Sequence, residues 1–201
     1  MEAIKKVLLI NTHLTYPNWT EGTLNKAFYQ IAKDFFTAQA YEVLETVIEE
    51  GYLPDQEEKK HLEADIVILQ MPVNWFGAPW IYKKYVDEVF NCGLFSKSFL
   101  TGDGRVNNDP TKQYGTGGLL AGKKFMICAT WNAPSEAFNH PEQRLMQGKS
   151  TTDIFLHITS NYRFCGYEIM DDYNCFDIFR RSDIAKDLEN YPAHLKKVFN
   201  L

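Results

Sequence analysis

Short, uninterrupted apolar runs recur along the chain at residues 7–10, 66–69 and 125–129. Their apolar residues are continuous rather than alternating, which is typical of strands covered on both faces in a parallel sheet. Weaker strand patterns occur at residues 41–47 and 163–170. The pattern therefore predicts five strands of one parallel sheet.

Helical periods separate these predicted strands. Pro79 opens one predicted helix, at a position where the missing N–H of proline costs nothing. Another follows at residues 184–198, and we expect it to break or restart near Pro192. The helix after the first strand has apolar residues on one face: Leu24, Ala27, Phe28, Ile31, Ala32 and Phe35. Strands alternating with helices predict an α/β fold, a flavodoxin-like doubly wound five-stranded parallel sheet with strand order 2-1-3-4-5.

The length of 201 residues fits a single domain over residues 1–201. One segment departs from an economical sheet, because residues 94–122 contain six of the twelve glycines and show no clear period. Structureless loops longer than about 12–15 residues are usually functional or disordered. We therefore expect a long Gly-rich loop that serves in binding or in dimer contact.

Composition acts mainly by excluding classes of protein. Hydrophobic residues make up 45% of the chain and its net charge is −5, without a stripe of basic residues. We therefore expect no nucleic-acid binding and no membrane insertion. The four cysteines lack the CxxC spacing and the histidines are scattered, so no metal site is predicted. The start of the chain lacks a secretory signal pattern, and we expect a cytoplasmic protein.

Three loops should leave the carboxyl ends of the central strands, where open α/β sheets bind their ligands. The first, residues 11–25, brings hydroxyl, amide and backbone N–H groups to a helix start, which suits a phosphate. Ordinary capping by Thr20 or Thr23 explains the same residues. The loop also lacks the GxGxxG pattern of dinucleotide-binding domains.

The other two loops are rich in aromatic residues. Residues 70–80 combine large rings with small residues, which fits either a planar ligand or a core edge or subunit interface. Residues 130–138 place an aromatic ring and an amide before a predicted helix start at Pro134. Three such loops at one edge favour a nucleotide-like cofactor, and isoalloxazine is the best candidate.

Several stretches carry a resemblance to a known family: residues 22–25, 70–72, 75–80, 83–85, 114–115, 117–119, 122–124, 130–134 and 136–138. At these positions the chain resembles the flavodoxin-like NAD(P)H:quinone oxidoreductases, and within them the bacterial modulator of drug activity B type. The resemblance covers most of the chain. It implies FAD as cofactor, with FMN less likely, and NADPH as hydride donor. It further implies two-electron, ping-pong transfer through the flavin to a quinone or another small aromatic acceptor, in a homodimer.

The resemblance also assigns positions. It places four residues near the flavin diphosphate: Thr20, Thr23, Leu24 and Asn25. Two further groups are implied to flank the flavin: Pro72, Trp75, Phe76 and Gly77, and from the next loop Thr130, Trp131, Asn132 and Pro134. Tyr114 and Gly117 of the long loop would reach the flavin or the substrate, within the subunit or across the dimer interface.

The source of the proton is open at this level. Mammalian relatives carry a tyrosine and a nearby histidine in the loop after the fourth strand, whereas this chain has Phe138 in register. His140 lies close in sequence but out of register. Tyr114, His140 and solvent are therefore the candidates for proton delivery.

Two other functions fit the same pattern. The protein could be an FMN-binding electron carrier of the flavodoxin type, although a net charge of −5 is mild for that class. It could also be a flavin-free dimeric binding protein whose aromatic residues pack in the interface. The identity of the bound flavin and turnover with NADPH distinguish these alternatives.

Overall fold

Six strand segments form one parallel sheet in the computed structural model, which describes residues 4–201. They are β1 (Lys6–Asn11), β2 (Glu42–Val47), β3 (Ile66–Pro72), β4 (Lys124–Thr130), β5 (Glu168–Ile169) and β6 (Tyr173–Cys175). The strand order is β2-β1-β3-β4-β5, and β6 also pairs with β4. The predicted α/β class and the order 2-1-3-4-5 are confirmed. Residues 1–3 of the predicted domain lie outside the described residues.

Helices cover both faces of this sheet. They are α1 (Thr23–Ala38), α2 (Pro54–Glu63), α3 (Trp80–Phe95), α4 (Thr151–Ile154), α5 (Leu156–Cys165) and α6 (Ile184–Phe199), with short 3₁₀ helices at Ile48–Glu50 and Ser135–Ala137. One core lies under α1 and α6, where Phe28 meets Tyr191 edge to face at 5.4 Å. The other lies under α3 and α5, where Phe125 stacks on Tyr162 at 3.5 Å.

The fifth position of the sheet differs from its prediction. The strand predicted at residues 163–170 is wrong in its first part, because α5 continues to Cys165. Gly166 ends α5 at φ 103°, a left-handed conformation that glycine adopts without strain. The strand then splits into β5 and β6, because one extra residue on that side shifts the register between them. Such an insertion is a β-bulge.

Asp172 occupies the bulge between β5 and β6. Its Oδ1 accepts a hydrogen bond from the backbone N–H of Ile127 at 3.2 Å, in place of a strand partner. Burial raises the pKa of the Asp172 carboxyl to about 7. The bulge thus sets the register of β6 through the Asp172 carboxyl group. Ionisation of this group lowers the stability of the fold.

Two helices also differ from expectation. The break predicted near Pro192 is wrong, since α6 runs from Ile184 to Phe199 with Pro192 inside it. Burial of Tyr191 and Leu195 on either side holds this helix to the core, which offsets the backbone hydrogen bond that proline cannot make. The long loop starts two residues later than predicted, because α3 continues to Phe95; it covers residues 96–123.

All four cysteines are free thiols. Cys128, Cys165 and Cys175 are buried, and Cys92 is half-buried. The Cys92 thiol donates to Glu58 Oε2 at 2.9 Å. The chain therefore has no disulfide among its cysteines, all of which are described.

The three central strands end together, which positions the candidate site. Asn11 of β1 pairs with Gln70 of β3, and Pro72 of β3 pairs with Thr130 of β4. The loops that follow Asn11, Pro72 and Thr130 consequently leave the sheet side by side. We call this border, defined by these three residues, the carboxyl edge.

Candidate functional site

The loop between β1 and α1 closes onto its own glycine. Gly22 has φ 73°, and a Cβ there would lie 2.5 Å from the His13 ring. His13 Nε2 lies 3.3 Å from Thr20 Oγ1, so the ring forms a buried floor beneath the loop. Burial lowers the pKa of His13, which keeps the ring neutral near pH 7. Both the left-handed backbone and the lack of space explain why this position is glycine.

The N-terminus of α1 is open to an anion. No side chain caps it, and its first turn contains no acidic residue. The exposed Thr23 and Lys26 lie in this turn, so a hydroxyl and a positive charge accompany the free backbone N–H groups. The positive end of the helix dipole and unpaired N–H groups favour phosphate at such a terminus. Neither Thr20 nor Thr23 acts as the cap that the alternative interpretation required.

Two residues predicted near the diphosphate, Asn25 and Leu24, make contacts within the protein. The Asn25 amide donates to Asn11 Oδ1 at 2.7 Å and accepts from the Gln70 amide at 2.9 Å. These buried hydrogen bonds tie α1 to β1 and β3, so the Asn25 side chain fixes the start of α1 at the loop. The Leu24 side chain is half-buried and packs against the core under α1.

The loop after β3 forms a tight aromatic turn over residues 74–77. Asn74 N–H donates to the Gly77 carbonyl at 2.8 Å, and Gly77 N–H donates back at 3.2 Å. The two central residues, Trp75 and Phe76, have φ 50° and φ 68°. Positive φ at both positions defines a turn that normally requires Asn-Gly. We refer to residues 74–77 as the aromatic turn.

The aromatic turn combines a strained backbone with exposed rings. A left-handed backbone costs roughly 1–2 kcal/mol for each residue with a side chain. Trp75 is 92% exposed and Phe76 42% exposed, so burial of these rings does not offset that cost. Trp80 adds a third exposed ring at the start of α3. Strained residues of this kind cluster at binding sites, which makes the turn the strongest local signal of function.

The loop after β4 lies beside the aromatic turn. The buried Thr130 carbonyl accepts from the Val73 N–H at 2.9 Å, which links the two loops. Asn132 and Pro134 are exposed, while Pro72 is half-buried. Pro134 opens only the 3₁₀ turn Ser135–Ala137 rather than the predicted helix.

The Trp131 side chain is buried beneath its own loop. Its side chain is 1% exposed and packs between Phe138, Phe155 and Phe176. The indole N–H donates to Asn174 Oδ1 of β6 at 2.8 Å. Trp131 therefore supports the loop from within the core, and its ring has no face left for a planar ligand.

The long loop packs against α5 through Tyr114. Tyr114 packs against Phe164 at 5.3 Å between ring centroids and under Arg105 at 5.6 Å. Tyr114 and Phe164 border a groove of about 540 Å³ between α3 and α5. Gly117 is buried, and a Cβ there would collide with the Gly102 carbonyl, so this glycine closes the loop.

His140 and His157 are both exposed, but the contacts differ. His140 sits in the loop after Phe138, where its carbonyl accepts from the Gln143 N–H. His157, in the first turn of α5, places Nε2 3.4 Å from the position that a Cβ on Gly77 would take. Sequence reasoning missed His157, His13 and the role of Gly22. A lone helical histidine carries no motif, whereas a glycine before a helix was a usable signal.

Comparisons with known proteins identify the family of the chain. A family model described as a flavodoxin-like fold matches residues 5–198. The chain is also 41% identical to the NADPH:quinone oxidoreductase MdaB of Haemophilus influenzae over 180 residues, which cover 90% of this chain and 92% of that protein. The chain belongs to the flavodoxin-like family that this model describes. The family recognised from the sequence motifs is confirmed.

Solved structures show the same fold. A Klebsiella pneumoniae protein described as a quinone reductase superimposes with a TM-score of 0.75 at 20% identity, over 96% of this chain and 84% of that one. The general stress protein 14 of Treponema denticola, solved in complex with FMN, gives a TM-score of 0.66 at 19% identity, covering 96% and 98% of the two chains. Within residues 4–201, no helix combines the length and the hydrophobicity that crossing a bilayer requires.

Proposed function

We propose that this protein is a flavin-dependent NADPH:quinone oxidoreductase that holds FAD at the carboxyl edge. The observation that carries the proposal is the aromatic turn, which exposes Trp75 and Phe76 on a strained backbone next to an uncapped helix N-terminus. A flat ring and a diphosphate are the two chemistries that these neighbours suit. The 41% identity to an NADPH:quinone oxidoreductase supports the choice of reaction.

The residues present fit a flavin nucleotide. The backbone at Thr23 and Leu24, together with the Thr20 and Thr23 hydroxyls, would hold the diphosphate. Pro72, Trp75, Phe76 and Gly77 would flank the ring system, with Asn132 and Pro134 approaching from the next loop. When bound, the flavin supplies the hydride-transfer chemistry, which leaves binding, orientation and exclusion of water to the protein.

The protein's contribution is therefore mainly positional. Rings that must react by hydride transfer have to lie about 3–3.5 Å apart, and a fixed aromatic turn can impose that spacing on NADPH and then on a quinone. Asn25 and Trp131 act indirectly in this proposal. Asn25 fixes the helix that carries the N–H groups, and Trp131 fixes the loop that carries Asn132.

We further propose a homodimer in which Tyr114 serves the site of the partner subunit. Phe164, which contacts Tyr114, lies seven residues beyond His157 on α5, or about 10 Å along the helix axis. Tyr114 is 69% exposed and so remains available to a second copy. Mixing Trp75→Ala and Tyr114→Ala proteins should then restore activity above that of either variant, because hybrid dimers contain one intact site.

Turnover tests the reaction itself. Protein loaded with FAD should oxidise many equivalents of NADPH only in the presence of menadione, and double-reciprocal plots at several menadione concentrations should be parallel, as a ping-pong exchange requires. Bleaching of the flavin by NADPH alone, followed by recovery on adding menadione, would separate the two steps. Loaded protein that never oxidises NADPH would remove the proposal.

The nature of the flavin needs its own measurement. The structural neighbour from Treponema denticola binds FMN, so an FMN-dependent electron carrier is the alternative with an observation in its favour. Mass analysis of the flavin released by denaturation distinguishes the two. FMN without NADPH turnover would favour the carrier, and protein that stays colourless after incubation with either flavin would favour a flavin-free dimeric binding protein.

We also assign the protein to the cytoplasm as part of this proposal. Four free thiols and no disulfide agree with a reducing compartment. NADPH is a donor of such compartments. Fractionation of cells followed by immunodetection tests the assignment.

A further inference from the structure

The His157 ring is held against the aromatic turn. Its Nε2 edge faces Gly77 closely enough that a Cβ on that glycine would be 3.4 Å from Nε2 and 3.7 Å from Cε1. His157 belongs to α5, so a helix on one face of the sheet contributes this ring to the turn. The side chain is exposed and keeps access to solvent.

A second contact fixes the protonation geometry of the ring. Nδ1 lies 2.9 Å from the Ile154 carbonyl oxygen. Because a carbonyl only accepts, Nδ1 carries the hydrogen of this bond. In neutral His157 the lone pair therefore sits on Nε2, and in the imidazolium Nε2 carries a proton that can be donated. The Asn161 amide, which donates to the His157 carbonyl at 3.0 Å, holds the same helical turn.

We propose that His157 is the proton donor to the quinone, an inference that rests on the proposed function. Reduction of a quinone by one hydride leaves a negative charge on one of its oxygens, and the hydroquinone forms when that oxygen binds a proton. The Nε2–H bond of the imidazolium breaks and the new O–H bond forms, leaving neutral His157. Solvent then returns the proton to Nε2, so the sum is NADPH, H⁺ and quinone giving NADP⁺ and hydroquinone.

The other histidines have different surroundings. His13 is buried against Gly22, and His61 is buried between Tyr85 and Tyr167. His194 lies on α6, across the sheet from α5, and contacts the Asp171 carbonyl. Asp153 is the charged residue one helical turn before His157. Its carboxylate accepts a hydrogen bond from Ser150 and does not contact the His157 ring.

Two variants separate proton donation from packing. His157→Ala removes the ring, and His157→Phe keeps a ring beside Gly77 that cannot donate a proton. Both should lower the rate of the quinone half-reaction about tenfold or more, since general acid catalysis typically contributes at least a factor of that size. The rate of flavin bleaching by NADPH should stay unchanged. Added imidazole should restore part of the rate to His157→Ala, whose site has room for it.

A binding measurement provides a readout that does not depend on turnover. 2-Naphthol, an unreactive phenol of quinone-like size, should shift the ¹⁵N signal of His157 Nε2 in the FAD-loaded protein and should bind several-fold more weakly to His157→Phe. His194→Ala is the matched control, because His194 is also a helical histidine with one ring nitrogen on a carbonyl. It should change neither the half-reactions nor the naphthol affinity.

The outcomes distinguish the two levels of inference. If His157→Ala and His157→Phe reduce menadione at the wild-type rate, or if 2-naphthol moves the Trp75 signals and not those of His157, the proposal is wrong and the function stands. A loss in His140→Ala with none in the His157 variants would assign the proton to the loop after β4. Wild-type protein without turnover would overturn the function and this inference together.

Discussion

Trp75 and Trp131 follow the same edge of the sheet and have opposite surroundings. Trp75 is 92% exposed in a strained turn, whereas Trp131 is 1% exposed among three phenylalanines. Each indole comes just after a buried strand, close to an asparagine and a proline. The difference arises from residues far along the chain, since Phe155 and Phe176 close over Trp131 alone. An aromatic residue at a binding edge thus contacts ligand or core according to its distant partners.

The largest effect expected concerns the buried ring. Trp131→Ala should lower the free energy of unfolding by about 3–5 kcal/mol, because it leaves a cavity and removes the bond to Asn174. Urea titration measures the change. Trp19→Ala, at an indole that is 69% exposed, is the control and should change stability by less than about 0.5 kcal/mol. A loss below about 1 kcal/mol for Trp131→Ala would contradict the assigned core role.

A smaller effect concerns Asp172, whose bulge places β6 and with it the Asn174 partner of Trp131. The folded-state pKa of about 7 lies above that of an unfolded aspartate, so the protonated carboxyl contributes stability that is lost as pH rises through 7. Asp172→Asn cannot ionise. Relative to wild type it should therefore gain about 1–3 kcal/mol between pH 4 and pH 8, since one pKa unit corresponds to about 1.4 kcal/mol.

Thermal unfolding at a series of pH values measures this difference. Asp34→Asn, at an exposed position of α1, should leave the pH dependence of stability as it is in wild type. Parallel curves for wild type and Asp172→Asn would show that the carboxyl is ionised in the folded state throughout this range.

The smallest change in stability is expected at the two exposed rings of the aromatic turn, and its sign is opposite to that at Trp131. Replacing Trp75 and Phe76 by Asn and Gly should raise the free energy of unfolding by about 1–2 kcal/mol, because these residues tolerate positive φ. The same double variant should weaken FAD binding about tenfold or more, since the flanking rings are gone. Flavin fluorescence titration measures the affinity. Unchanged affinity would mean that the turn is strained for another reason.

The central part of the fold could be predicted because its signal is local. Continuous apolar runs identified β1, β3 and β4, and the spacing of apolar residues identified α1. Helix α2 gave no such signal, because the residues that it buries are Glu57, Glu58 and His61. Their burial depends on partners from other elements. The hydroxyls of Thr46 and Tyr85, for example, donate hydrogen bonds to the Glu57 carboxylate.

The ends of elements and the site were harder to predict for the same reason. Apolar residues continue from α5 through Gly166 into β5, so hydrophobicity alone could not separate the helix from the strand. The order of the loops along the carboxyl edge followed from the strand order. The packing between α5 and the aromatic turn decides which ring points outward and brings His157 to Gly77. No short sequence motif predicts this packing.

The state of the cysteines has a consequence for a protein that reduces quinones. Quinones are electrophiles that add to thiolates, so an enzyme of this kind risks modification by its own substrate. Burial raises the pKa of Cys128, Cys165 and Cys175, and the bond to Glu58 raises that of Cys92 to about 11. Near neutral pH all four sulfurs stay protonated and unreactive. The fold thereby makes the protein resistant to arylation while it processes arylating compounds.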